Sequence, residues 1–296
     1  MLLRDISARV NFPPASDFDT CIGDLGDVAA LTQACANIDT VFHLAGEAHV
    51  AKAGPRHAVT SVAAAKNLLE AAIGQGVRRI VVLSSSLAQA AQANGGDVTA
   101  YGTDKLEAEN TFKQAAAKGE IEVLILRSVN VYGVGMKGNI AAMIGLIHGG
   151  RLPRLPRLSN RISLVAVTDL AKALILAAKS PDANGRTYML TDGEAYAISE
   201  IEEAIYRCLG KRLPPRRTPA MVLYVASLTA GLLSRLGIRK SGISARTYRN
   251  LTSENLFNNN DICAELGFRP STTLYDMLPA ICSNIVDVMA VESDQE

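Results

Sequence analysis

The chain has 296 residues, with 30 Lys and Arg against 29 Asp and Glu, for a formal net charge of +1. That balance argues against a dedicated nucleic-acid binder, whose affinity rests on a basic excess or stripe. With 48% hydrophobic and 20% charged residues the chain is too apolar to be disordered, and 5% aromatics with no Trp favours helices packed on a sheet over an all-β sandwich.

The first clear element is Thr40-Val41-Phe42-His43-Leu44, a buried strand ending in Ala45-Gly46. Residues from about Ala58 to Ile73 predict a helix, with Asn67, Leu68 and Ala71 at helical spacing and Gly74-Gln75-Gly76 as its stop. Arg79 to Ser84 is a second buried strand, Ala100 to Lys118 a helix rich in Ala, Glu and Lys, and Ile121 to Leu126 a third strand. Strands alternating with helices of this length imply βαβ units, hence a parallel sheet with helices on both faces.

The texture changes past Gly150, where Leu152 to Arg157 forms a Pro/Arg loop. Ser163 to Val167 predicts a strand, Asp169 to Ala178 a helix, Arg186 to Leu190 a strand and Ile198 to Leu209 a helix. Lys211 to Arg217 is a basic linker containing Pro. The rest reads as helical and ends in a ragged acidic tail, Glu292 to Glu296. Thr218 to Ser234 holds no charged residue and is flanked by Arg216, Arg217, Arg235, Arg239 and Lys240. It is shorter than a membrane span of ~20 apolar residues and is broken by Pro219, Ser227, Thr229 and Gly231. It therefore reads as a buried or groove-lining helix, with contact at a membrane surface as the alternative.

The five cysteines, Cys21, Cys35, Cys208, Cys263 and Cys282, are far apart and contain no CxxC pair. The four histidines, His43, His49, His57 and His148, have no metal-binding spacing. Neither a disulfide framework nor a metal site is expected, and the thiols read as small buried hydrophobes in a reducing compartment. Met1-Leu2-Leu3 runs at once into Arg4-Asp5, so no signal peptide is expected and the location expected is the cytoplasm.

The chemistry concentrates in Ser85, at the end of a buried strand, and in Tyr101-Gly102-Thr103-Asp104-Lys105, which opens the next helix. Tyr101 and Lys105 stand four apart, on one helix face and about 5–6 Å apart at Cβ. A phenol is a poor base at neutral pH until a nearby cation favours its phenolate, and Lys105 can supply that charge. The Ser85 hydroxyl can hold a substrate oxygen that gains or loses a proton. The spacing alone is weak, since a Tyr and a Lys four apart also occur on ordinary solvated helix faces. The strand ending in Ser84-Ser85-Ser86 just upstream is what strengthens it.

On these residues the chain resembles an extended short-chain dehydrogenase/reductase of the nucleotide-sugar epimerase/dehydratase group. Gly23-Asp24-Leu25 resembles the segment that contacts adenine, and His43-Leu44-Ala45-Gly46 the strand end that passes under the cofactor ribose. Ser85, Tyr101 and Lys105 fall where the family has its catalytic triad; counting along the strand from Gly76-Val77 favours Ser85 over Ser84 or Ser86. Arg127 to Gly133 resembles the family's Arg-x-x-Asn-Val-Tyr-Gly, in which the Asn contacts the substrate diphosphate, and Gly138-Asn139 resembles a second substrate stretch. Ser163 to Leu170 and Asp261 to Phe268 match late landmarks of the family, so the likeness runs over nearly the whole chain.

The resemblance implies a Rossmann-like doubly wound parallel sheet over residues 1–160, and over residues 161–296 a smaller, mostly helical substrate-binding region partly interleaved with it. It implies NAD or NADP as hydride carrier, held by Arg4, Asp24, Leu25, Leu44, Ala45, Gly46, Tyr101, Lys105 and Ser128. It assigns the substrate, a nucleotide sugar such as a UDP-hexose or UDP-N-acetylhexosamine, to Ser86, Asn130, Asn139 and Arg161. The expected activity is an epimerase or reductase at C4 of the sugar, and the expected assembly is a homodimer built partly from the helix after Ala58 and the Tyr101 helix.

Departures from the family are equally specific. The glycine-rich strand–turn–helix that opens family members is absent, and Leu2-Leu3-Arg4 resembles the end of their second strand. The expectation is a chain that either continues upstream by roughly 25–30 residues or has a rearranged front with impaired nucleotide binding. A literal GxGxxG at Gly133 to Gly138 follows the catalytic helix, with no acidic residue about 20 positions on, and reads as a substrate loop. The family's helix Asn is Ser61 here, and an Arg expected near the uridine diphosphate is Ile162, one position from Arg161. These departures motivate the alternative reading, a non-catalytic or impaired member serving as a binding or structural subunit.

Overall fold

The computed structural model describes residues 1–4, 19–46, 60–93, 98–156, 160–219, 221 and 255–293. The chain divides into two interleaved units. The first comprises Met1–Ser128, Ala171–Leu190 and Asn259–Phe268; the second comprises Val129–Leu170, Thr191–Asn258 and Arg269–Glu296.

In chain order the first stretch of the first unit carries β1 (Leu2–Leu3), β2 (Cys21–Ile22), α1 (Val28–Cys35), β3 (Thr40–His43) and α2 (Ser61–Gly74). It continues with β4 (Arg79–Ser85), α3 (Ser86–Gln92), α4 (Ala100–Ala117) and β5 (Glu122–Ser128). The chain then supplies β6 (Asn130–Tyr132), α5 (Asn139–His148), β7 (Arg161–Ile162), β8 (Leu164–Ala166) and α6 (Val167–Lys179). After these come β9 (Thr187–Leu190), β10 (Tyr196–Ala197), α7 (Ile198–Cys208), α8 (Asn260–Leu266) and α9 (Leu274–Ser293).

The first unit is a Rossmann-like α/β layer. Its main sheet has the order β3-β4-β5-β9 and is parallel throughout; a separate parallel pair joins β1 to β2. The runs Ile80-Val81-Val82 and Val123 to Leu126 are continuously buried rather than alternating, as strands covered on both faces must be. Each such side chain contributes about 1.5–3 kcal/mol by leaving water. Leu31, Leu68, Ala72, Phe112 and Ala115 from α1, α2 and α4 pack against Ile80, Val82, Val123 and Ile125 in one core cluster.

Local chemistry starts the helices. Asp27 Oδ1 accepts from Ala30 N at 3.0 Å, Thr60 Oγ1 from Ala63 N at 3.2 Å, and Thr99 Oγ1 from Gly102 N at 3.0 Å. Each cap stabilises its helix by about 1 kcal/mol. The expected stop after α2 is met by Gly76 at φ 73°, a left-handed turn that a glycine takes without strain. The C-terminus of α6 is capped by Arg79, whose Nη1 donates to the carbonyls of Ala177 at 2.9 Å and Ala178 at 3.0 Å while Nη2 meets Glu122 at 2.6 Å. That engagement explains how the first residue of β4 can be an arginine only 1% exposed.

The second unit pairs β6 with β8 in parallel and β7 with β10 antiparallel. Its core gathers Ile144, Ile147, Leu155, Ile162, Ile201 and Ile205 with Leu274, Leu278 and Ile281 of α9. Among the described residues α9 is the one helix long and apolar enough to cross a membrane, but its Leu274, Leu278, Ile281 and Cys282 face sits in this core.

Some expectations shift. The strand after Lys118 runs from Glu122 to Ser128 rather than ending at Leu126, and β4 continues through Ser85. Where the sequence suggested only a strand end at Ser84-Ser85-Ser86, Ser85 caps a further short helix, α3. The tail is not ragged at its start, since α9 runs through Ser293. His49, His57 and all of Thr218–Ser234 beyond Thr218, Pro219 and Met221 lie outside the described residues, as do Arg235, Arg239 and Lys240.

Candidate active site

Three strand ends of the first unit carry the chemistry. In a parallel sheet the carboxyl ends of neighbouring strands lie side by side, which is where ligands bind in open α/β folds. Here β3 ends in His43 and leads into Leu44, Ala45 and Gly46, β4 ends in Ser84 and Ser85, and β5 ends in Ser128. Ser85 and Ser128 are direct register partners, and Ser128 Oγ donates to the Ser84 carbonyl at 3.3 Å.

Helix α4 brings its first two turns to these ends. Lys105 is 8% exposed and its Nζ lies 5.8 Å from the centroid of the Tyr101 ring. Gly46 stands against the same ammonium: a Cβ built there would fall 2.3 Å from Lys105 Nζ. A side chain there would displace the end of Lys105, so Gly46, Lys105 and Tyr101 form a cradle. Ser85 Oγ accepts from Leu87 N at 3.2 Å as the cap of α3, which leaves its hydroxyl proton available to an acceptor. Ser86, the first residue of α3, is half-buried.

The electrostatics depart from the sequence expectation in one respect. Burial and the neighbouring Asp104 carboxylate push the Tyr101 phenol above its ordinary value, rather than Lys105 pulling it below. Burial pushes Lys105 down, opposed by Asp104 and Glu109. His43, buried with its ring 5.6 Å from that of Phe112, is brought down to about 4 by burial and by the Lys105 charge, so its imidazole is neutral at neutral pH.

Beneath the cradle, Glu109 accepts from Arg127 Nη2 at 2.7 Å and from Ser84 Oγ at 2.5 Å, and Gln92 takes another Arg127 proton at 2.7 Å. The motif reading missed Glu109 and Asp104, although both were in plain view: Asp104 lies inside the Tyr-to-Lys spacing and Glu109 one helical turn past Lys105.

Arg4 and Asp24 come together as an exposed ion pair at 2.8 Å, and Asp24 Oδ1 also accepts from Gly26 N at 3.0 Å. The Leu25 carbonyl accepts from Asn67 Nδ2 at 2.9 Å, tying this segment to α2. The remaining residues lie in the second unit. Asn130 is exposed at the start of β6, and Asn139 is exposed at the start of α5, after a loop whose Gly135 and Gly138 have φ of 78° and 101°. Arg161 donates to the Ala195 carbonyl at 2.9 Å; Ile162 beside it is core, 8% exposed, which explains an apolar residue there.

Comparison with known proteins agrees with the sheet and gives the family. The NAD dependent epimerase/dehydratase family model matches residues 4–191, and the chain belongs to that family. UDP-glucose 4-epimerase of Vibrio cholerae is 27% identical in an alignment that covers 65% of this chain and 65% of that enzyme's length. An Escherichia coli O157:H7 protein, N-acetyl-alpha-D-glucosaminyl-diphospho-ditrans,octacis-undecaprenol 4-epimerase, is 24% identical over 76% of this chain and 71% of its own. Among solved structures, MoeE5 in complex with UDP-glucuronic acid and NAD has the same fold, with a TM-score of 0.71 at 23% identity, over 97% of this chain and 90% of its own.

The family is NAD-dependent. The residues present fit the nicotinamide and ribose half of a dinucleotide: the Gly46 cradle admits a close approach, and Lys105 and Tyr101 offer a cation and a hydroxyl beside it. No glycine-rich strand–turn–helix for the pyrophosphate occurs among the described residues.

Proposed function

We propose that the protein is an NAD(P)-dependent epimerase or reductase that acts at a sugar hydroxyl or keto carbon, C4 foremost, of a nucleotide sugar such as a UDP-hexose or UDP-N-acetylhexosamine. The observation that carries this reading is the joining of Tyr101, Lys105 and Gly46 at the strand ends that hold Ser85 and Ser128. The Vibrio cholerae and Escherichia coli relatives, both named as 4-epimerases, support the carbon and the sugar class.

In this reading Tyr101 as its phenolate takes the proton from the sugar hydroxyl on oxidation, and the phenol so formed returns it on reduction. Lys105 holds the ribose and compensates the phenolate as it forms, and Ser85 donates its free proton to the substrate oxygen and orients it. Bound dinucleotide supplies the hydride acceptor and donor. Leu44, Ala45 and Ser128 line its path, and Arg4 and Asp24 hold its adenosine end. Ser86, Asn130, Asn139 and Arg161 contact the sugar nucleotide. A cytoplasmic homodimer belongs to the same proposal, and light scattering of the purified chain checks the dimer.

The test is turnover of UDP-glucose, UDP-N-acetylglucosamine and UDP-4-keto sugars with each dinucleotide. Tyr101→Phe is expected to lower kcat by about 10²-fold or more, the usual worth of a positioned proton carrier. An active wild type whose Tyr101→Phe variant keeps the full rate sinks the mechanism. A second reading, a lipid-linked diphosphosugar as substrate, is favoured by the name of the Escherichia coli relative and by the uncharged Thr218–Ser234 stretch with its basic flanks. Turnover of a polyprenyl-diphosphosugar in preference to the UDP-sugars would select it.

A further inference from the structure

Tyr101 has two charged neighbours on its own helix, and they oppose each other. Asp104 and Lys105 follow it by three and four residues, the two spacings that face the same side of an α-helix about 5–6 Å away at Cβ. Lys105 Nζ sits 5.8 Å from the Tyr101 ring centroid. Asp104 is fixed from the other side, because Ser61, the first residue of α2, donates its hydroxyl to Asp104 Oδ2. That hydrogen bond ties the Asp104 side chain to the start of α2.

We propose that Asp104, held by Ser61, is a positioning residue for the Tyr101–Lys105 pair: its carboxylate offsets the Lys105 ammonium and keeps Tyr101 protonated until substrate or cofactor changes the balance. A carboxylate beside a phenol disfavours its phenolate, so the cation alone does not decide its state. The direction in which Tyr101 is pushed, upward by burial and by Asp104, agrees. The other described groups around the pair do not supply this effect. His43 on β3 is neutral, Ser84 and Ser85 on β4 are uncharged, and Glu109 is engaged by Arg127 and acts on Lys105. The consequence is a proton step that gains speed as pH rises above neutrality.

This inference rests on the reading of Tyr101 as the proton carrier, and its test is separable from that reading. Titration of the tyrosine Cζ resonances of the full chain, without substrate or cofactor, reads Tyr101 directly once Tyr101→Phe assigns its signal. In Asp104→Asn, and equally in Asp104→Ser should the amide disturb folding, the Tyr101 midpoint is expected about one unit lower, a tenfold change. Asp104→Glu is expected to stay near the wild type. In the pH profile of kcat, the neutral variants should move the rising limb to lower pH by a similar amount. An unchanged or raised midpoint in both neutral variants overturns the proposal. Full activity in Tyr101→Phe overturns the reading beneath it and leaves the titration result standing.

Discussion

Each unit of the molecule buries a carboxylate, and the two are held in opposite ways. In the first, Glu109 is 1% exposed and faces a guanidinium: Arg127 donates through Nη2 at 2.7 Å and Nε at 3.0 Å, Ser84 adds a hydroxyl, and Lys113 stands at 3.4 Å. In the second, Asp192 is 7% exposed and faces phenols: Tyr196 donates at 2.7 Å, the Tyr132 oxygen lies at 2.9 Å, and the Glu194 amide donates at 3.0 Å. The difference teaches what a cation does for a buried acid. Glu109 has its charge compensated on the spot, whereas burial pushes the Asp192 carboxyl upward despite the hydrogen bonds that pull it down. The charged anchor lies beneath the helix that carries Tyr101 and Lys105; the phenolic one braces Tyr132, two residues past Asn130.

Removing the cation gives the largest expected effect. Arg127→Met leaves Glu109 buried without its partner and is expected to cost about 3–5 kcal/mol in urea unfolding, the usual result of breaking a buried pair from one side. Adding Glu109→Leu should recover much of that loss, since the stranded charge goes with it. A single variant as stable as the wild type would show that Ser84 and Gln92 suffice, and the contrast between the units would fail.

The second unit predicts a smaller loss and a distinct pH signature. Tyr196→Phe takes a donor from Asp192 and an acceptor from the Leu274 amide, which reaches the Tyr196 oxygen at 3.0 Å, and is expected to cost about 1–3 kcal/mol. Because Asp192 is raised in the folded state from 3.8, the folded chain binds more protons than the unfolded one between that value and its folded midpoint. The stability contributed by this residue therefore falls as pH rises through that window and is level above it. Unfolding midpoints of wild type and Asp192→Asn across pH 4 to 7 check this: the wild type should lose stability relative to the variant as pH rises, and parallel curves would overturn it.

These anchors also mark how far the sequence could be read. The strand at Arg79–Ser85 was legible because sheet covered on both faces demands an unbroken apolar run, whereas Thr40–His43, expected to be buried, lies at the end of the sheet order with Phe42 42% exposed. Helix α3 was not legible: seven residues capped by a serine that also ends a strand offer no periodicity. Nor was the effect of Asp104, since spacing gives which residues share a face but not whether burial or a neighbouring charge wins. Glu109 and Arg127 meet across 18 positions, Tyr132 and Asp192 across 60, and no local pattern links such pairs.

Exposure supplies the sharpest control on the comparison, and the smallest effect. Arg186 and Glu265 join β9 to α8 through two hydrogen bonds, one of them 2.9 Å from Nε, and Tyr188 adds its hydroxyl at 2.7 Å, so the geometry matches the Arg127–Glu109 pair. The solvent does not: the side chains are 53% and 37% exposed, against 6% and 1% for the buried pair. Water and salt screen the exposed pair and hydrate whichever partner is left behind. Arg186→Gln is therefore expected to shift the unfolding midpoint less than either Arg127→Met or Tyr196→Phe, and by still less in 1 M salt. A loss as large as that of Arg127→Met, and insensitive to salt, would mean that the guanidinium fork rather than burial sets the worth of these pairs.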